Sequence, residues 1–176
     1  MSNDAVWQAV RRKRAIRRFD DRPLEPSHLD RILDAGRRVG SSKNSQRWSF
    51  IVVEERATLQ ALAEVGPWAG HLAHAAAGIA LVTPDPSATD APLSVMWDLG
   101  QAAGNMMLVG WELGIGSVPA TVYEHALAQR ILGYPDDRHC EFILSFGYPA
   151  RPGDLTRPPK PGGRVPLDEL VHRERW

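Results

Sequence analysis

A polar loop runs directly into an apolar strand in the stretch Ser41-Ser42-Lys43-Asn44-Ser45-Gln46-Arg47-Trp48, which continues as Ser49-Phe50-Ile51-Val52-Val53-Glu54. The hydroxyls and carboxamides of this loop offer hydrogen-bond donors and acceptors without fixed charge, a combination suited to the edge of a heteroaromatic ring. Trp48 adds a large apolar surface at the same place. The pattern predicts a ligand-binding loop at the mouth of a sheet, and an ordinary turn rich in Ser and Asn is the alternative.

The densest basic segment of the chain lies upstream of this loop. Six of the 21 Lys and Arg residues fall within residues 11–18. If the backbone is extended near Ala15, the side chains of Lys13 and Arg17 share one side and that of Arg18 lies on the other. Two cations that flank a small residue suit a phosphate group, which Arg can bind with two parallel hydrogen bonds. A solvated helix face is the alternative, because that is the usual role of a run of charges.

Together the two segments resemble the nitroreductase family of flavoproteins, which has a basic R-R-S-x-R-x-F-like motif and a P-S-x-x-N-x-Q-P-W-like loop that enters a strand. The same family then has a long apolar helix, a G-[IL]-G-S turn, and a terminal G-x-P followed by a basic residue. The corresponding segments of this chain, in the same order, are Lys13–Phe19, Gly40–Trp48, Leu93–Leu113, Gly114-Ile115-Gly116-Ser117, and Gly147-Tyr148-Pro149 with Arg164. No single motif is decisive, but the ordered set covers nearly the whole chain.

The resemblance implies an FMN cofactor that takes hydride from NADH or NADPH and passes it to a small electron-poor acceptor such as a nitroaromatic or a quinone. It assigns no protein side chain as a catalytic acid, base or nucleophile, because the flavin carries the chemistry. The residues that it places against the flavin phosphate are Lys13, Arg14, Arg17 and Arg164. The remaining cofactor contacts that it implies are Ser41, Ser42, Asn44, Gln46, Pro119, Ala120 and Thr121.

Three positions depart from the family pattern. Ala15 stands where the family usually has a Ser hydroxyl for the flavin phosphate, and Gly40 and Arg47 replace two prolines of the loop. Losing one neutral hydrogen bond would weaken cofactor binding by about 0.5–1.5 kcal/mol. FMN binding is therefore still expected, and a flavin-binding or flavin-sequestering protein with little turnover is the alternative function.

The composition indicates one compact domain. A chain of 176 residues buries about 70% of its unfolded surface, so it needs no disulfide to be stable. Basic and acidic residues balance at 21 each, which argues against a nucleic-acid partner. Cys140 is the only cysteine, and the chain has neither a signal-like N-terminus nor an apolar run long enough to cross a bilayer. We therefore expect a cytoplasmic protein without a membrane partner.

The six histidines do not form a metal-binding signature in the sequence. His71 and His74 have an i,i+3 spacing, but no flanking carboxylate or cysteine completes a zinc set. No metal site is therefore expected from the sequence.

Helical and strand patterns alternate along the chain. Helices are predicted near residues 4–14, 26–38 and 57–65. Strands are predicted at residues 49–55, 79–83 and 141–146. The loop that follows the second strand, through Thr89, is predicted to be flexible. These patterns predict an α/β or α+β fold with a small central sheet flanked by helices, as in nitroreductases, in a single domain of residues 1–150.

The segment Leu93–Leu113 predicts a helix that is apolar around nearly its whole circumference. Its polar side chains form one narrow stripe of Asp98, Gln101, Asn105 and Glu112. Such a helix is buried on nearly all sides, and a domain of this size has limited room for it. Part of the helix is therefore expected to pack against the second subunit of a homodimer, as the resemblance also implies. The central helix of a monomer is the alternative.

Residues 151–176 are predicted to form a C-terminal arm. The stretch Pro149–Gly163 is rich in Pro and Gly, and it precedes a short amphipathic helix at Val165–Val171 and the aromatic residue Trp176. An apolar anchor beyond an extended arm, formed by Leu167, Leu170 and Trp176, suggests a tail that packs on the partner subunit. A disordered tail is the alternative.

Overall fold

The secondary structure is taken from a computed structural model, which describes residues 4–88, 94–159 and 162–176. The α-helices are α1 (Ala5–Arg12), α2 (Pro26–Arg37), α3 (Arg56–Leu62), α4 (Ser94–Glu112), α5 (His125–Leu132) and α6 (Leu167–Leu170). The strands are β1 (Ser49–Val53), β2 (Ala77–Pro84), β3 (Gly116–Thr121) and β4 (Arg138–Gly147). Short 3-10 turns lie at Ser42–Asn44, Gly70–His74 and Pro152–Leu155.

Four antiparallel strands form one sheet in the order β1-β2-β4-β3. Strand β2 is apolar and buried along nearly its whole length, because helices cover both faces of the sheet. On one face, α2 and α4 pack against a cluster that includes Ile79, Leu144 and Phe146. On the other face, α3 and α5 pack against Ala80 and Ile143. The predicted small central sheet flanked by helices is confirmed.

The basic segment lies against the edge strand β3 and the end of β4. The backbone amide of Ile16 donates a hydrogen bond to the carbonyl of Ser117 over 3.0 Å. This approach requires glycine on the sheet, since a Cβ built at Gly116 would lie 2.6 Å from Cβ of Ile16. A Cβ at Gly147 would lie 2.8 Å from Cδ1 of Phe19. Gly116 of the G-[IL]-G-S turn and Gly147 of the G-x-P motif therefore leave room for the basic segment to pack against the sheet.

Most of the predicted elements are present, with shifted ends. The strand predicted at residues 79–83 extends over all of β2, and the strand predicted at residues 141–146 extends over all of β4. The sequence patterns missed β3 and α5. Strand β3 contains Pro119, which cannot donate to a ladder, and β3 tolerates it because it lies at the edge of the sheet.

Burial along the long helix α4 does not follow the polar and apolar pattern of its sequence. Its predicted first residue Leu93, like the loop residue Thr89, lies outside the described residues. Asp98 of the predicted polar stripe is only 4% exposed, whereas the apolar Trp97 is 74% exposed. Within one chain, α4 buries one face against the sheet and leaves apolar surface on another. Neither α4 nor any other described helix combines the length and hydropathy needed to cross a membrane.

The C-terminal segment first contacts the basic segment of the same chain and ends in exposed residues. Nη2 of Arg157 donates to the carbonyl of Ala15 over 3.1 Å, and Nε of Arg14 donates to the carbonyl of Arg157 over 3.0 Å. The helix α6 that follows is exposed, with Leu167 at 75%. The division into a domain of residues 1–150 and an arm that packs on a partner stays a prediction.

A polar pair is buried between the sheet and the turn Gly70–His74. Nδ1 of His71 lies 2.7 Å from Oγ of Ser145, and His71 is 8% exposed. Burial, and then the positive charge of Arg17, lowers the pKa of His71 to about 4. The imidazole is therefore neutral near pH 7, because protonation would place a charge in the protein interior.

We expect acid to destabilise the fold through His71. Its ordinary pKa of 6.5 applies in the unfolded chain, so the unfolded state binds the proton first and stability falls as the pH drops from about 6.5 to about 4. The loss is on the order of 2–3 kcal/mol at the acid end. Thermal unfolding of the wild type and of His71→Asn across this range measures it, because asparagine keeps a polar partner for Ser145 without titrating. Parallel pH profiles of the two proteins would contradict the assignment.

Candidate functional site

Two cations of the predicted phosphate site act on each other. Lys13 follows α1, and its Nζ lies 3.9 Å from Sδ of Met107 on α4. Burial lowers the pKa of Lys13, and the positive charge of Arg164 lowers it further. Among the described residues, neither Lys13 nor Arg164 forms an ion pair with a carboxylate. An anion bound beside these two cations would offset their repulsion.

The two arginines of the predicted phosphate site have different surroundings. The guanidinium of Arg14 donates to three backbone carbonyls, those of Arg11, Lys13 and Arg157. Arg14 therefore holds the local backbone, and its predicted contact with phosphate would have to compete with these bonds. Arg17 is exposed and lies near enough to His71 for its charge to lower the pKa of that residue.

The loop of residues 41–48 holds an unusual backbone conformation. Lys43, Asn44 and Gln46 have left-handed φ angles of 54°, 52° and 47°, which cost about 1–2 kcal/mol for each residue other than glycine. Oγ of Ser41 accepts a hydrogen bond from the backbone amide of Gln46 over 3.0 Å, and Nε2 of Gln46 donates to Oδ1 of Asn44 over 3.0 Å. Such strained conformations are concentrated at functional sites.

This loop lines a cavity that the basic segment does not reach. Gln46, Trp48 and Phe50 surround a space of about 520 Å³ together with side chains of α2, and none of the predicted phosphate ligands lines it. Ser42, at the start of the 3-10 turn, is exposed. Within one chain, the loop therefore lines a cavity apart from the cations that the resemblance assigns to the same cofactor.

The cofactor contacts predicted on β3 are Pro119, Ala120 and Thr121. The backbone of Pro119 lies close enough to His71 to oppose the lowering of its pKa. Pro119 also lines an apolar cavity of about 190 Å³ together with Met107, the residue that Nζ of Lys13 approaches. The structure therefore brings Pro119, an apolar cavity and the predicted phosphate ligand Lys13 to the same side of the sheet.

Two residues of this region give no functional signal in the sequence. Met107 lies within a helix that is apolar on most sides, so its place beside Lys13 depends on the tertiary structure. His71 stands out only through its spacing from His74, and that spacing does not indicate its contacts with Ser145 and Pro119.

Comparison with known proteins shows similarity along most of the chain. The sequence profile of the Nitroreductase family matches residues 10–68 and 66–148. A protein of Archaeoglobus fulgidus, provisionally named an NADH dehydrogenase/NAD(P)H nitroreductase, is 34% identical over 170 residues, which cover 93% of this chain and 94% of that protein.

Solved structures show the same fold. A crystal structure from Parabacteroides distasonis with the same provisional name has a TM-score of 0.84 at 24% identity and covers 99% of this chain and 100% of its own. The NADPH:FMN oxidoreductase of Vibrio harveyi in complex with NAD⁺ has a TM-score of 0.83 at 22% identity, covering 99% of this chain and 78% of its own. With a profile match from residue 10 to residue 148 and this fold, the chain belongs to the nitroreductase family.

Proposed function

We propose that this chain is an FMN-dependent oxidoreductase that uses NADH or NADPH to reduce a nitroaromatic, a quinone or a similar electron-poor acceptor. When bound, the flavin supplies the chemistry by accepting hydride from the nicotinamide and passing it on to the acceptor. Family membership supports the proposal, as do the name of the Archaeoglobus fulgidus relative and that of the FMN oxidoreductase with the same fold.

The observation that carries the proposal is the mutual repulsion of Lys13 and Arg164. The pKa of Lys13 is lowered by burial and by the charge of Arg164, so a bound dianion would offset both effects and stabilise the charged form of the amine. Charge-assisted hydrogen bonds from these cations would contribute about 1.5–3 kcal/mol each. FMN presents such a terminal phosphate, whereas each of the two bridged phosphates of FAD carries only one negative charge.

The surface beside these cations fits one edge of a flavin ring. The cavity next to Pro119 and Met107 has apolar walls, which exclude water and strengthen nearby electrostatic interactions. Oγ of Ser117 is buried and has no hydrogen-bond partner among the described residues, and Ser117 pairs with Ala15. The strand beside Ala15 therefore carries an unused hydroxyl where the family usually has a Ser on the basic segment. The residues present fit FMN.

A homodimer is part of the proposal, because one chain supplies only part of a site. The cavity beside Pro119 measures about 190 Å³, below the roughly 300–1,000 Å³ of typical ligand sites. The loop of residues 41–48 lines a different cavity in its own chain, so a partner's loop would complete the site.

Exposed apolar residues on α1 and α4 support the same dimer. Trp7, Val10 and Trp97 are 59%, 53% and 74% exposed, and α1, α2 and α4 line a mostly apolar cavity of about 550 Å³. Burying each such side chain contributes about 1.5–3 kcal/mol. The exposed residues of α6, with Trp176 at 99%, would pack on the same partner.

A cytoplasmic location completes the proposal. Cys140 is a free thiol in the core, and burial raises its pKa to about 12. A thiol this hard to ionise is inert. A chain whose one cysteine is unpaired fits a reducing compartment.

The function is tested by identifying the released cofactor and then measuring turnover. Denaturing the purified protein and chromatographing the supernatant should release FMN, and FAD or a failure to bind any flavin after reconstitution would overturn the proposal. NADH or NADPH should then bleach the flavin absorbance, and a nitroaromatic or a quinone should restore it. Stoichiometric FMN without bleaching by either nucleotide would favour the flavin-sequestering alternative.

Arg17→Ala should weaken FMN binding more than Arg18→Ala. Arg17 makes no hydrogen bond with the described residues and shares its predicted side with Lys13, whereas the backbone of Arg18 is tied to Ala150 and its side chain is predicted to point away. Loss of one charge-assisted contact corresponds to a rise of at least about tenfold in the dissociation constant. Fluorescence titration of the apoprotein with FMN measures both variants, and equal effects would sink the assignment.

Trp97→Glu should dissociate the dimer and lower the apparent affinity for FMN together with it. A charge placed in an apolar interface must be desolvated or exposed by dissociation. Trp68→Glu is the matched control, because Trp68 is equally exposed, at 76%, but lies between α3 and the turn Gly70–His74. Sedimentation velocity with flavin absorbance measures both properties, and a flavin-loaded wild-type monomer at micromolar concentration would contradict the dimer.

A further inference from the structure

We propose that His125, His139 and Glu141 form a binding site for a divalent transition-metal cation of the zinc class. His125 is the first residue of α5, and the other two flank Cys140 at the beginning of β4. The cluster lies at the opposite end of β4 from Gly147, which contacts the basic segment. It is therefore separate from the proposed flavin site.

Three potential ligand atoms converge in this cluster. Nε2 of His139 lies 2.9 Å from Oε2 of Glu141, and Nε2 of His125 lies 3.9 Å from the same oxygen. One ligand atom from each of the three residues lies within 4.8 Å of the other two. Zinc bonds to histidine nitrogen and carboxylate oxygen are about 2.0–2.2 Å long, so tetrahedral ligands lie about 3.4 Å apart. Small side-chain rotations would bring these atoms to that spacing.

The backbone presents Glu141 to this cluster through an irregularity in the sheet. Leu81 pairs with Phe142, and Val82 pairs with Cys140, so Glu141 has no partner on β2. An extra residue of this kind forms a β-bulge, which redirects its side chain and is common beside functional sites. On the other side, the amide of Val122 donates to the carbonyl of Glu141 over 2.9 Å. The bulge is therefore held firmly, between the core strand and the segment that leads to α5.

The charges around the cluster favour a cation. The only ion-pairing partners of Glu141 among the described residues are the two imidazoles, so with neutral histidines its negative charge is uncompensated. Asp85 adds a second carboxylate nearby, because its backbone amide donates a hydrogen bond over 3.2 Å to the carbonyl of Asp137, two residues before His139. Two imidazoles and a carboxylate are ligands that suit zinc and its neighbours in the first transition row.

Access and coordination number are consistent with an open site. The side chains of His125, His139 and Glu141 are 44%, 19% and 32% exposed, so a hydrated cation can reach all three. Three protein ligands leave at least one tetrahedral position for water. A bound cation would join the first turn of α5 to β4, and because it binds only the folded chain it would raise the thermal stability.

The sequence does not indicate this cluster, because His125, His139 and Glu141 do not have the spacing of a local metal-binding motif. His139 and Glu141 are close in sequence, but His125 precedes them by the whole of α5 and the turn after it. The expectation of no metal site rested on the spacing of the six histidines in the sequence, and that spacing does not show that His125 lies beside His139 and Glu141.

The experiment is a zinc titration of tag-free protein in its FMN-loaded form, after treatment with a chelator that is then removed. Calorimetry or competition with a chromophoric chelator should give one zinc ion per chain. Single substitutions His125→Ala, His139→Ala and Glu141→Gln should each raise the dissociation constant by about tenfold or more. His172→Ala is the matched control, since His172 stacks on Trp176 in the C-terminal segment, and it should leave zinc binding unchanged.

Two further readouts keep the result independent of folding and of the flavin site. Zinc should raise the melting temperature of the wild type and of His172→Ala but not that of the triple variant His125→Ala/His139→Ala/Glu141→Gln, whose circular dichroism and FMN content should match the wild type. Co²⁺ should give visible absorption bands of a four- or five-coordinate ion that zinc abolishes. Equal zinc affinity of the wild type and the triple variant, or loss of binding in His172→Ala, would overturn the proposal.

Discussion

The close approach of the basic segment to the sheet is the contact on which the candidate site depends. It exists because Gly116 and Gly147 lack a Cβ where Ile16 and Phe19 pack. Ile16 is 2% exposed and has little room to move, so a larger residue on the sheet would displace the segment that carries Lys13. Gly116 and Gly147 would thus affect cofactor binding through the packing of Ile16 and Phe19.

The proposed phosphate site contains two cations that repel each other, and a bound anion would offset that repulsion. Lys13 is partly buried near Met107 and is repelled by Arg164, and no described carboxylate pairs with either cation. A structural ion pair would have supplied that carboxylate. The loop at Asn44 and Gln46 is a second unfavourable feature of the same kind, because left-handed backbone at residues other than glycine costs free energy. Such strain is concentrated at functional sites.

Sequence patterns predicted the elements whose apolar residues form an unbroken run, and they missed an element whose run is interrupted. The apolar runs of β2 and β4 and the periodicity of α4 were sufficient to predict a small sheet covered by helices. Strand β3 was not predicted because it contains Pro119. The strand tolerates this proline at the edge of the sheet, and the whole fold, not the local sequence, places it there. The family motifs likewise predict that Lys13 and Arg164 belong to one site. They do not predict that Arg14 donates hydrogen bonds to the backbone or that Met107 lies beside Lys13, because both contacts join segments that are distant in the sequence.

Strand β4 connects the proposed flavin site at its end with the proposed cation site at its beginning. Its end, at Gly147, contacts the basic segment and so supports the proposed flavin site, which one chain alone would leave incomplete. Its beginning carries the irregularity at Glu141 and a cluster of ligands drawn from one chain alone. Between them, Ile143 and Leu144 are fully buried on opposite faces of the sheet, and this rigid stretch separates the two ends. Flavin binding should therefore depend on association of two chains, whereas cation binding should not, because each cation would bind entirely within one protomer.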